Sequence, residues 1–567
     1  MQRDARFFSP AARFVKQPKK PRKAVKSALL RTLINLGVTL LFAALYFYIE
    51  LPPLNIYAEE FYAFVFILCA VYCGCAVVTS GFQGDGVKGY FTFLKKQCKI
   101  PLVVLAALAL TFIVGSVSSW VVIRAGSYRE LLTVDQGDFA AEVDEISYDQ
   151  IPMLDRASAI KLGDRKLGEL ADMVSQFEVA GDYTQINYRG RPVRVTPLEY
   201  GDIIKWFNNR SEGLPAYLLI DMVTQNVEVV RLGEGMRYTT AEHFGRNLYR
   251  YLRFNYPTYI FAEPVFEIDE EGTPYWVCAK REKTIGLFGG VDNNGAVLVN
   301  AITGECAYHE QVPSWVDHVY SAELIIQQYD YYGLYHNGFL NSIFGQRGVT
   351  VTTEGYNYLA IDDDVYMYTG VTSVGGDESN VGFLLSNQRT KQTKYYTIAG
   401  AEEYSAMASA EGQVQQMSYD ATFPLLLNIA GQPTYFMALK DAAGLVKMYA
   451  MVNVSQYQIV ATGTTVALCE QNYRTMLEQN GLIGEQDAVV DAPETESVSG
   501  VVEEIRSAVL DGTTRYFLRL EGSAQYYCVS AADSVEVVIL NTGDSVTLTY
   551  AKGAAASIIE GCRLAIE

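Results

Sequence analysis

Three long apolar runs near the start of the chain constrain its fold more than any other feature. They cover residues 28–50, 60–82 and 101–123. A helix of about 23 residues crosses a hydrocarbon layer roughly 30 Å thick. No run carries a polar face, so a buried helix of a water-soluble domain is the poorer explanation. The sequence therefore predicts a three-helix transmembrane domain over residues 28–123.

The charges beside these runs predict the orientation of the chain. Residues 1–27 form a basic tail, the first connection has no Lys or Arg, and the second contains the stretch KGYFTFLKKQCK. Positively charged loops stay in the cytoplasm. We therefore expect a multi-pass protein of a bacterial-type plasma membrane, with a cytoplasmic N-terminus and with residues 124–567 extracytoplasmic.

The two parts of the chain differ sharply in charge. Residues 1–123 hold 14 Lys and Arg against five acidic residues, a net charge of +9, whereas residues 124–567 carry −28. A region this acidic should be soluble and should repel polyanions. The expected partners are therefore the lipid bilayer and an envelope protein or cell-wall polymer, and not nucleic acid. The sequence does not predict the oligomeric state.

A turn signal recurs four times after the apolar runs. Asp221, Asn300, Asn387 and Asn453 each follow an apolar segment and precede a Thr or Ser by no more than three residues. Such a side chain accepts a hydrogen bond from the backbone just ahead and favours a hairpin turn. With a helix-like segment before each hairpin, the pattern predicts tandem repeats in an α+β region over residues 124–483. The repeats are expected at about residues 150–232, 238–309, 319–398 and 401–463.

The second unit ends in Val297-Leu-Val-Asn-Ala-Ile-Thr-Gly-Glu305. In a helix-plus-hairpin unit of this size, that stretch resembles the PepSY domain of bacterial envelope proteins, whose strands commonly carry V-x-[VI]-[DN]-A-x-T-G-E. The other three units keep the turn residue and lack the Gly-Glu pair. The resemblance implies units of one helix and antiparallel strands that bind or restrain partner proteins, proteases included.

The end of the chain has a different pattern. Residues 484–497 are acidic and lack aromatic side chains, which is typical of a linker. Residues 498–567 contain about five short strand-like segments, and these predict a small β-barrel of the OB or SH3 type. A structural cap is the favoured role for this barrel, with saccharide or protein binding as the alternative.

The sequence offers little sign of catalysis. It contains no GxSxG, HExxH or Walker A motif. Gly84–Gly89 matches GxGxxG but joins two predicted spans, so we expect a flexible loop there. The spacing of the nine cysteines does not match a zinc site. The sequence does not decide whether the disulfides Cys278–Cys306 and Cys528–Cys562 form. No catalytic residue, metal or cofactor is predicted, and the chain is not expected to be an enzyme.

The stretch YDYYGLYHNGFLNSIFG (residues 329–345) is the first candidate binding surface. Tyr331, Tyr335 and Phe339 recur at i, i+4 and i+8, on one face of a helix predicted over residues 321–344. Gly333 and Gly338 weaken a helix by about 1 kcal/mol each, so close packing or a kink must compensate. A packed core is favoured. A membrane-facing or partner-binding surface that includes His336 is the alternative, and a catalytic pocket around His336 is least favoured.

A second candidate surface is a stripe of arginines. Arg246, Arg250 and Arg253 recur at i, i+4 and i+7 in the stretch FGRNLYRYLRF. We expect this stripe to pair with the domain's own acids, with contact to anionic headgroups or wall polymer as the alternative.

These observations predict a non-catalytic, membrane-anchored envelope protein whose exported repeats bind or scaffold a partner. One alternative is a sensor or regulator that restrains an envelope protease and reports inward through residues 83–100 or the basic tail. The other is an envelope hydrolase that acts through His318 or His336, because the stretch WVDHVY (residues 315–320) joins an Asp to a His.

Overall fold

The structure is a computed structural model with a mixed α+β architecture. It divides into two compact units, Met1–Tyr473 and Arg474–Glu567. The predicted domain boundaries stay predictions, and most of the predicted linker lies outside the described residues. The described residues are 25–82, 86–145, 151–361, 363–375, 379–484, 487, 495–510, 513–523, 525–531, 534–551, 558–559 and 562–566.

The first unit begins with apolar helices. Three of them, α1, α2 and α4, are long and apolar enough to cross a membrane. The first two coincide closely with the first two predicted spans. The helices are α1 (Ala28–Glu50), α2 (Glu59–Ser80), α3 (Gly86–Gln97), α4 (Lys99–Ser118) and α5 (Val121–Arg129).

The third predicted span is wrong at its end, because α4 stops at Ser118 and not at residue 123. The hydroxyl of Ser119 donates to the carbonyl of Gly115 at 2.8 Å. It also accepts the backbone N–H groups of Leu287 and Phe288, both at 2.9 Å. These contacts with a distant hairpin hold Ser119 where the helix ends, and a short helix starts again at Val121.

The connection between the second and third spans also differs from the prediction. Residues 83–85 lie outside the described part, and from Gly86 the backbone is helical, so the predicted flexible loop is wrong there. Lys95 and Lys96 lie in the last turn of α3, where positive charge favours the helix C-terminus. Among the described residues no strand precedes this helix, which removes the context that a dinucleotide site needs.

Four sheets follow in chain order, and all their pairings are antiparallel except that of β1 with β16. The first has the strand order β2-β4-β5-β6, with β3 also on β4. Its elements and those before it are β1 (Val134–Gly137), α6 (Phe139–Glu142), α7 (Arg156–Gly168), β2 (Phe177–Val179), β3 (Thr184–Tyr188), β4 (Arg191–Tyr200), α8 (Ile203–Asn209), β5 (Leu214–Asp221) and β6 (Val227–Met236).

The second sheet has the order β11-β10-β9-β7, with β8 also on β9. A 12-residue pair, β9 and β10, forms its long central hairpin. The elements are α9 (Leu248–Asn255), β7 (Ile260–Phe261), β8 (Val265–Ile268), β9 (Pro274–Ile285), β10 (Gly289–Asn300) and β11 (Cys306–His309).

The third and fourth sheets have the orders β1-β16-β15-β14-β12 and β18-β20-β21-β22. Strands β13, β17 and β19 pair at their sides with β14, β15 and β20. The elements are α10 (Ala322–Leu334), β12 (Thr350–Thr352), β13 (Asn357–Ile361), β14 (Asp364–Ser373), β15 (Ser379–Asn387), β16 (Thr393–Tyr396), β17 (Gly400–Ala401), α11 (Glu403–Gln413), β18 (Asp420–Ala421), β19 (Leu425–Ile429), β20 (Gln432–Lys440), β21 (Val446–Asn453), β22 (Val460–Gly463) and α12 (Val466–Gln479).

The four predicted hairpin turns are confirmed. The side-chain oxygens of Asp221, Asn300 and Asn387 each accept backbone N–H groups from the residues two and three positions ahead, at 2.8–3.0 Å. Asn453 accepts only from Gln456, three positions ahead, at 2.8 Å. Each turn joins two paired strands: β5 with β6, β10 with β11, β15 with β16 and β21 with β22.

No disulfide joins the nine cysteines, all of which lie in the described residues. Cys278 pairs with Val297 and Cys306 pairs with Val299, so the two thiols lie on strands at opposite sides of β10. Two strand spacings are roughly 10 Å, beyond the Cα separation that a disulfide allows. The sheet order therefore excludes a disulfide between Cys278 and Cys306, which the sequence had left undecided. The disulfide between Cys528 and Cys562 is also not formed.

The second unit holds one six-stranded sheet, order β27-β25-β24-β23-β26-β28. The long strand β23 pairs with β26 along its first half and with β24 along its second half. Among the described strands no pair joins β27 to β28, so the predicted closed barrel is not found. The strands are β23 (Thr495–Leu510), β24 (Thr513–Leu520), β25 (Tyr526–Ser530), β26 (Ser545–Ala551), β27 (Ile558–Ile559) and β28 (Arg563–Ile566).

Candidate functional site

The aromatic stretch begins in the last turns of α10 and forms a ladder of rings. Tyr331 stacks on Tyr335 with centroids 6.0 Å apart, and Tyr335 stacks on Phe339 at 6.2 Å. Tyr128 of α5 packs edge-on against Tyr331 at 4.9 Å. The predicted common face is confirmed, and it lies against the helix that follows α4.

Two glycines fix the path of this stretch. A Cβ at Gly333 would lie 2.2 Å from the carbonyl oxygen of Thr350, so α10 packs on β12 without room for a side chain. Gly338 has φ +84°, a left-handed conformation that glycine adopts easily. The helix predicted to residue 344 is therefore interrupted after Leu334, since the chain bends at this glycine, and helical backbone of the π type returns at Asn341–Gly345.

The end of the stretch is exposed. His336 lies at the surface, and its carbonyl accepts from Arg129 at 3.3 Å. Beyond it, Leu340, Ile343 and Phe344 are 69%, 52% and 83% exposed, and we call these three side chains the apolar tip. An exposed apolar group beside α5 favours the membrane-facing interpretation for this part of the stretch.

The predicted arginines lie against the end of α1. Arg250 Nε donates to the carbonyl of Tyr48 at 3.1 Å, and Arg253 Nε donates to that of Leu51 at 2.8 Å. The last carbonyls of a helix have no partner within it and carry partial negative charge. Among the described residues these arginines form no ion pair with an acid, so the expected pairing with the domain's own acids is wrong. Arg246 donates to the carbonyl of Arg210 at 2.9 Å.

A second contact joins the β9–β10 hairpin to α2 and α4. Phe288, at the tip of the hairpin, packs on Tyr62 and Phe112 with ring centroids 5.5 and 5.0 Å apart. A Cβ at Gly115 of α4 would lie 2.5 Å from Leu287, so the hairpin and the helix are in close contact. The sheets are thus fixed to the apolar helices at two separate places.

A cavity of about 800 Å³ lies among the sheets of the first unit. All four sheets contribute to its lining, through strands β3, β4, β8, β9, β10 and β13 and the connection between β18 and β19. The lining includes Arg194, Val277, His318, Tyr358 and Phe423. No pattern in the sequence predicted this cavity.

Arg194 is the charged group buried deepest in the cavity lining, at 6% exposure. Its terminal nitrogens donate to the carbonyl of Tyr183 and the side-chain oxygen of Gln185, both at 3.3 Å, and Nε has no partner. Charge-assisted hydrogen bonds are ordinarily about 2.7–2.9 Å. Burial lowers the pKa of Arg194 to about 10, so the side chain keeps its charge at neutral pH.

His318 belongs to a buried network beside Arg194. The Nε2 atom lies 2.6 Å from the carbonyl of Gln185, which can only accept, so Nε2 carries the proton. Burial lowers the pKa of His318 and keeps the ring neutral. An Nε2–H held by a backbone carbonyl leaves Nδ1 as the ring nitrogen that can accept a proton. The side chain beside the ring is that of Gln388, which is not a nucleophile, and this disfavours a hydrolase that acts through His318.

Two buried carboxyl groups lie behind this histidine. Glu267 accepts the backbone N–H groups of Asp317 and His318, both at 2.9 Å. Asp317 accepts the N–H of Asn187 at 2.7 Å and does not orient the imidazole. Burial raises the pKa of both carboxyl groups, and the charge of Glu267 raises that of Asp317 further.

The arrangement suits binding better than catalysis. Ser321, a serine in the lining, accepts the N–H of Leu324 and caps α10. In the part of the chain that the structure describes, no three His, Cys, Asp or Glu side chains are grouped to hold a metal ion. The cavity therefore combines a charged donor, neutral polar groups and an apolar wall, which is the usual make-up of a ligand site.

The signal that could have found the cavity is Arg194 itself. Residues 192–198 of β4 are buried on both faces of the strand. An arginine inside such a strand is rare without a partner or a function. The arginine in the strand sequence RPVRVTPLEY was therefore a signal for a buried site. No pattern in that sequence predicts the distant residues that complete the site.

Comparisons with known proteins add little. No known protein family matches this chain, and no curated protein matches it. Among solved structures, a B. megaterium levansucrase mutant is 8% identical over 76% of this chain and 95% of its own, with a TM-score of 0.16. A likeness this slight carries no argument about fold or activity.

Proposed function

We propose that the chain is a non-catalytic, multi-pass protein of the cell envelope whose region after α5 binds a partner outside the cytoplasm. The single observation that carries this proposal is the cavity of about 800 Å³ with Arg194 in its lining. The expected partner is an envelope protein or a cell-wall polymer that inserts a peptide group into the cavity.

The orientation is supported by charge and by contact with the apolar helices. The basic tail favours a cytoplasmic N-terminus. The apolar tip and the arginine contacts with α1 lie beside helix ends, where aromatic and basic side chains commonly meet a membrane surface. On this view the sheets rest on the outer face of the membrane.

We also propose that the first four sheets are copies of one PepSY-like unit. The support is their shared plan, because each has a helix, a central pair of antiparallel strands and a final hairpin that turns at Asp or Asn. In the first sheet α8 lies between the two central strands. The barrel expected for residues 498–567 has weaker support, in the long strand β23 that changes partner midway.

A sensor is the second candidate function, and strand β9 favours it. This strand lines the cavity at Trp276, Val277 and Ala279, and its hairpin ends at Phe288 against α2 and α4. A change in the cavity therefore has a short path to the apolar helices. On this proposal Phe288→Ala leaves ligand binding intact and removes any ligand-dependent change in the protease sensitivity of residues 83–100.

Site-specific photo-crosslinking in intact cells tests the main proposal. A photoreactive residue replaces Asp182, an exposed acid at the cavity, and the control replaces Glu212, an exposed acid elsewhere. We expect an adduct with one envelope protein or wall fragment at position 182 alone. The absence of an adduct, or a cytoplasmic signal from a reporter fused after residue 130, contradicts the proposal.

A further inference from the structure

The cavity gathers hydrogen-bonding groups that have no partner. Six buried nitrogen or oxygen atoms on its lining residues make no hydrogen bond among the described residues. More than nine in ten buried polar groups are ordinarily paired. Their concentration on the residues of one cavity shows that the interior beside it is polar and incompletely hydrogen-bonded. The atoms belong to Tyr183, Arg194, Trp276, Asn293 and Gln388.

Three of these five side chains set the chemistry of the ligand. Arg194 supplies the only charge among them. Gln388 is fully buried, and its amide lies beside His318. Asn293 donates to the carbonyl of Val319 at 2.6 Å and keeps its own oxygen unused. A ligand would suit all three side chains if it had an acceptor atom for the N–H groups of Arg194 and a neutral donor for the side-chain oxygens of Asn293 and Gln388.

The other charged groups of the lining are paired with an opposite charge or are exposed to solvent. Asp155 pairs with Lys440 at 2.7 Å. Arg156 pairs with Asp182 at 3.1 Å. Glu263 accepts the hydroxyl of Tyr249. Of the described lining residues, Arg194 alone carries a deeply buried charge without an ion pair.

We propose that the cavity binds its ligand through a single carboxylate group, held by the guanidinium of Arg194. This inference rests on the proposed function and names the chemistry of its ligand. A monoanion matches the one deeply buried charge that has no ion pair. A phosphate dianion or polyanion does not, because it brings excess charge close to Asp155 and Asp182. The planar guanidinium also matches the two oxygens of a carboxylate.

The rest of the lining indicates the body of that ligand. Val265, Phe266, Val277 and Tyr358 form an apolar wall. The volume of about 800 Å³ lies within the range of pockets for medium-sized ligands. The fitting class is a carboxylate on an apolar body, either a free N-acyl amino acid or the carboxyl end of an apolar peptide.

The test measures the melting midpoint of the full chain in detergent micelles with matched probes. The probes are N-acetyl-phenylalanine, N-acetyl-leucine and an apolar heptapeptide, each as the free acid and as the primary amide. We expect at least one acid to raise the midpoint by several degrees while its amide does not. The small acids and the peptide distinguish the two sources of the carboxylate.

Variants locate the binding group. Arg194→Met should weaken binding of the active acid by about 100-fold, and Arg194→Lys by about tenfold, because lysine keeps the charge and loses the planar fork. The control is Arg231→Met, which removes an exposed arginine that pairs with Asp172 outside the cavity. That variant should bind as the wild type does. The melting midpoints without probe show whether each variant is folded.

The outcomes separate this inference from the proposed function. If an acid and its amide shift the midpoint alike, the cavity binds ligands and the carboxylate inference is wrong. If folded Arg194→Met binds the acid as the wild type does, or if no acid shifts the midpoint, the inference is also wrong. The adduct at position 182 decides the proposed function independently of these results.

Discussion

Two buried arginines of the first unit have opposite environments. Arg253 is 9% exposed and donates to the carbonyls of Leu51 and Tyr259 at 2.8 and 2.6 Å. Arg194 is 6% exposed and has two hydrogen bonds of 3.3 Å and an unpaired Nε. Burial lowers the pKa of both to about 10, so the difference lies in the hydrogen bonds and not in the burial.

The comparison separates a structural contact from a binding site. At Arg253 a charge is buried where the carbonyls near the end of α1 need donors, so the residue fixes a sheet to a helix. At Arg194 a charge is buried without full compensation, which costs stability unless a ligand supplies the missing acceptor.

The largest effect is expected at the contact of Arg253 with the end of α1. Arg253→Met should lower the free energy of unfolding by about 3 kcal/mol, because two short charge-assisted bonds are lost and buried carbonyls are left unpaired. The measurement is thermal unfolding of the full chain in detergent micelles, with Arg231→Met as the exposed control. An equal melting midpoint for wild type and Arg253→Met would show that the contact with α1 is incidental.

Packing of the aromatic ladder should produce the next largest effect. Gly333→Ala should destabilise the protein by about 2 kcal/mol, since the new Cβ meets the carbonyl of Thr350. Gly412→Ala is the matched control, because that glycine lies in a helix with open space around it. The control should be stabilised by up to about 1 kcal/mol. Similar melting midpoints for the two variants would contradict the close packing of α10 on β12.

The carboxyl groups behind the cavity predict a pH effect. Their folded pKa values are raised, so unfolding releases protons, and stability is highest below their ordinary pKa and falls as pH rises through the folded values. Asp317→Asn can keep the bond from Asn187 and removes one charge. At pH 8 the free energy of unfolding of this variant should exceed that of the wild type by about 1.4 kcal/mol for each unit by which the pKa of Asp317 is raised. At pH 4 the two free energies should be equal. Thermal unfolding at both pH values measures this, and parallel pH profiles would contradict it.

The smallest effect is expected at Arg194. Without ligand, Arg194→Met should change the free energy of unfolding by less than about 1 kcal/mol, or should stabilise the protein, because an uncompensated buried charge is replaced by an apolar side chain. The same thermal unfolding experiment measures it. A loss as large as that of Arg253→Met would remove the contrast between the two arginines.

Local and distant interactions explain what the sequence could predict. The first two apolar helices and the turns at Asp221 and Asn300 depend on residues within one span or one hairpin, and they agree with the structure. The end of α4 depends on a contact between Ser119 and a hairpin about 170 residues later. The role of Arg194 depends on a cavity whose lining comes from four sheets. The arginine stripe was recognised from its spacing, but its partner on α1 is about 200 residues away.

The most direct test of the account is an experimental structure of the full chain purified from its native membrane without added ligand. The account predicts non-protein density in the cavity with a planar, two-oxygen group within hydrogen-bond distance of the Arg194 guanidinium, while Arg253 still contacts the carbonyl of Leu51. A cavity that holds only ordered water, or an Arg194 that pairs with a carboxylate of the protein itself, would contradict the central claim.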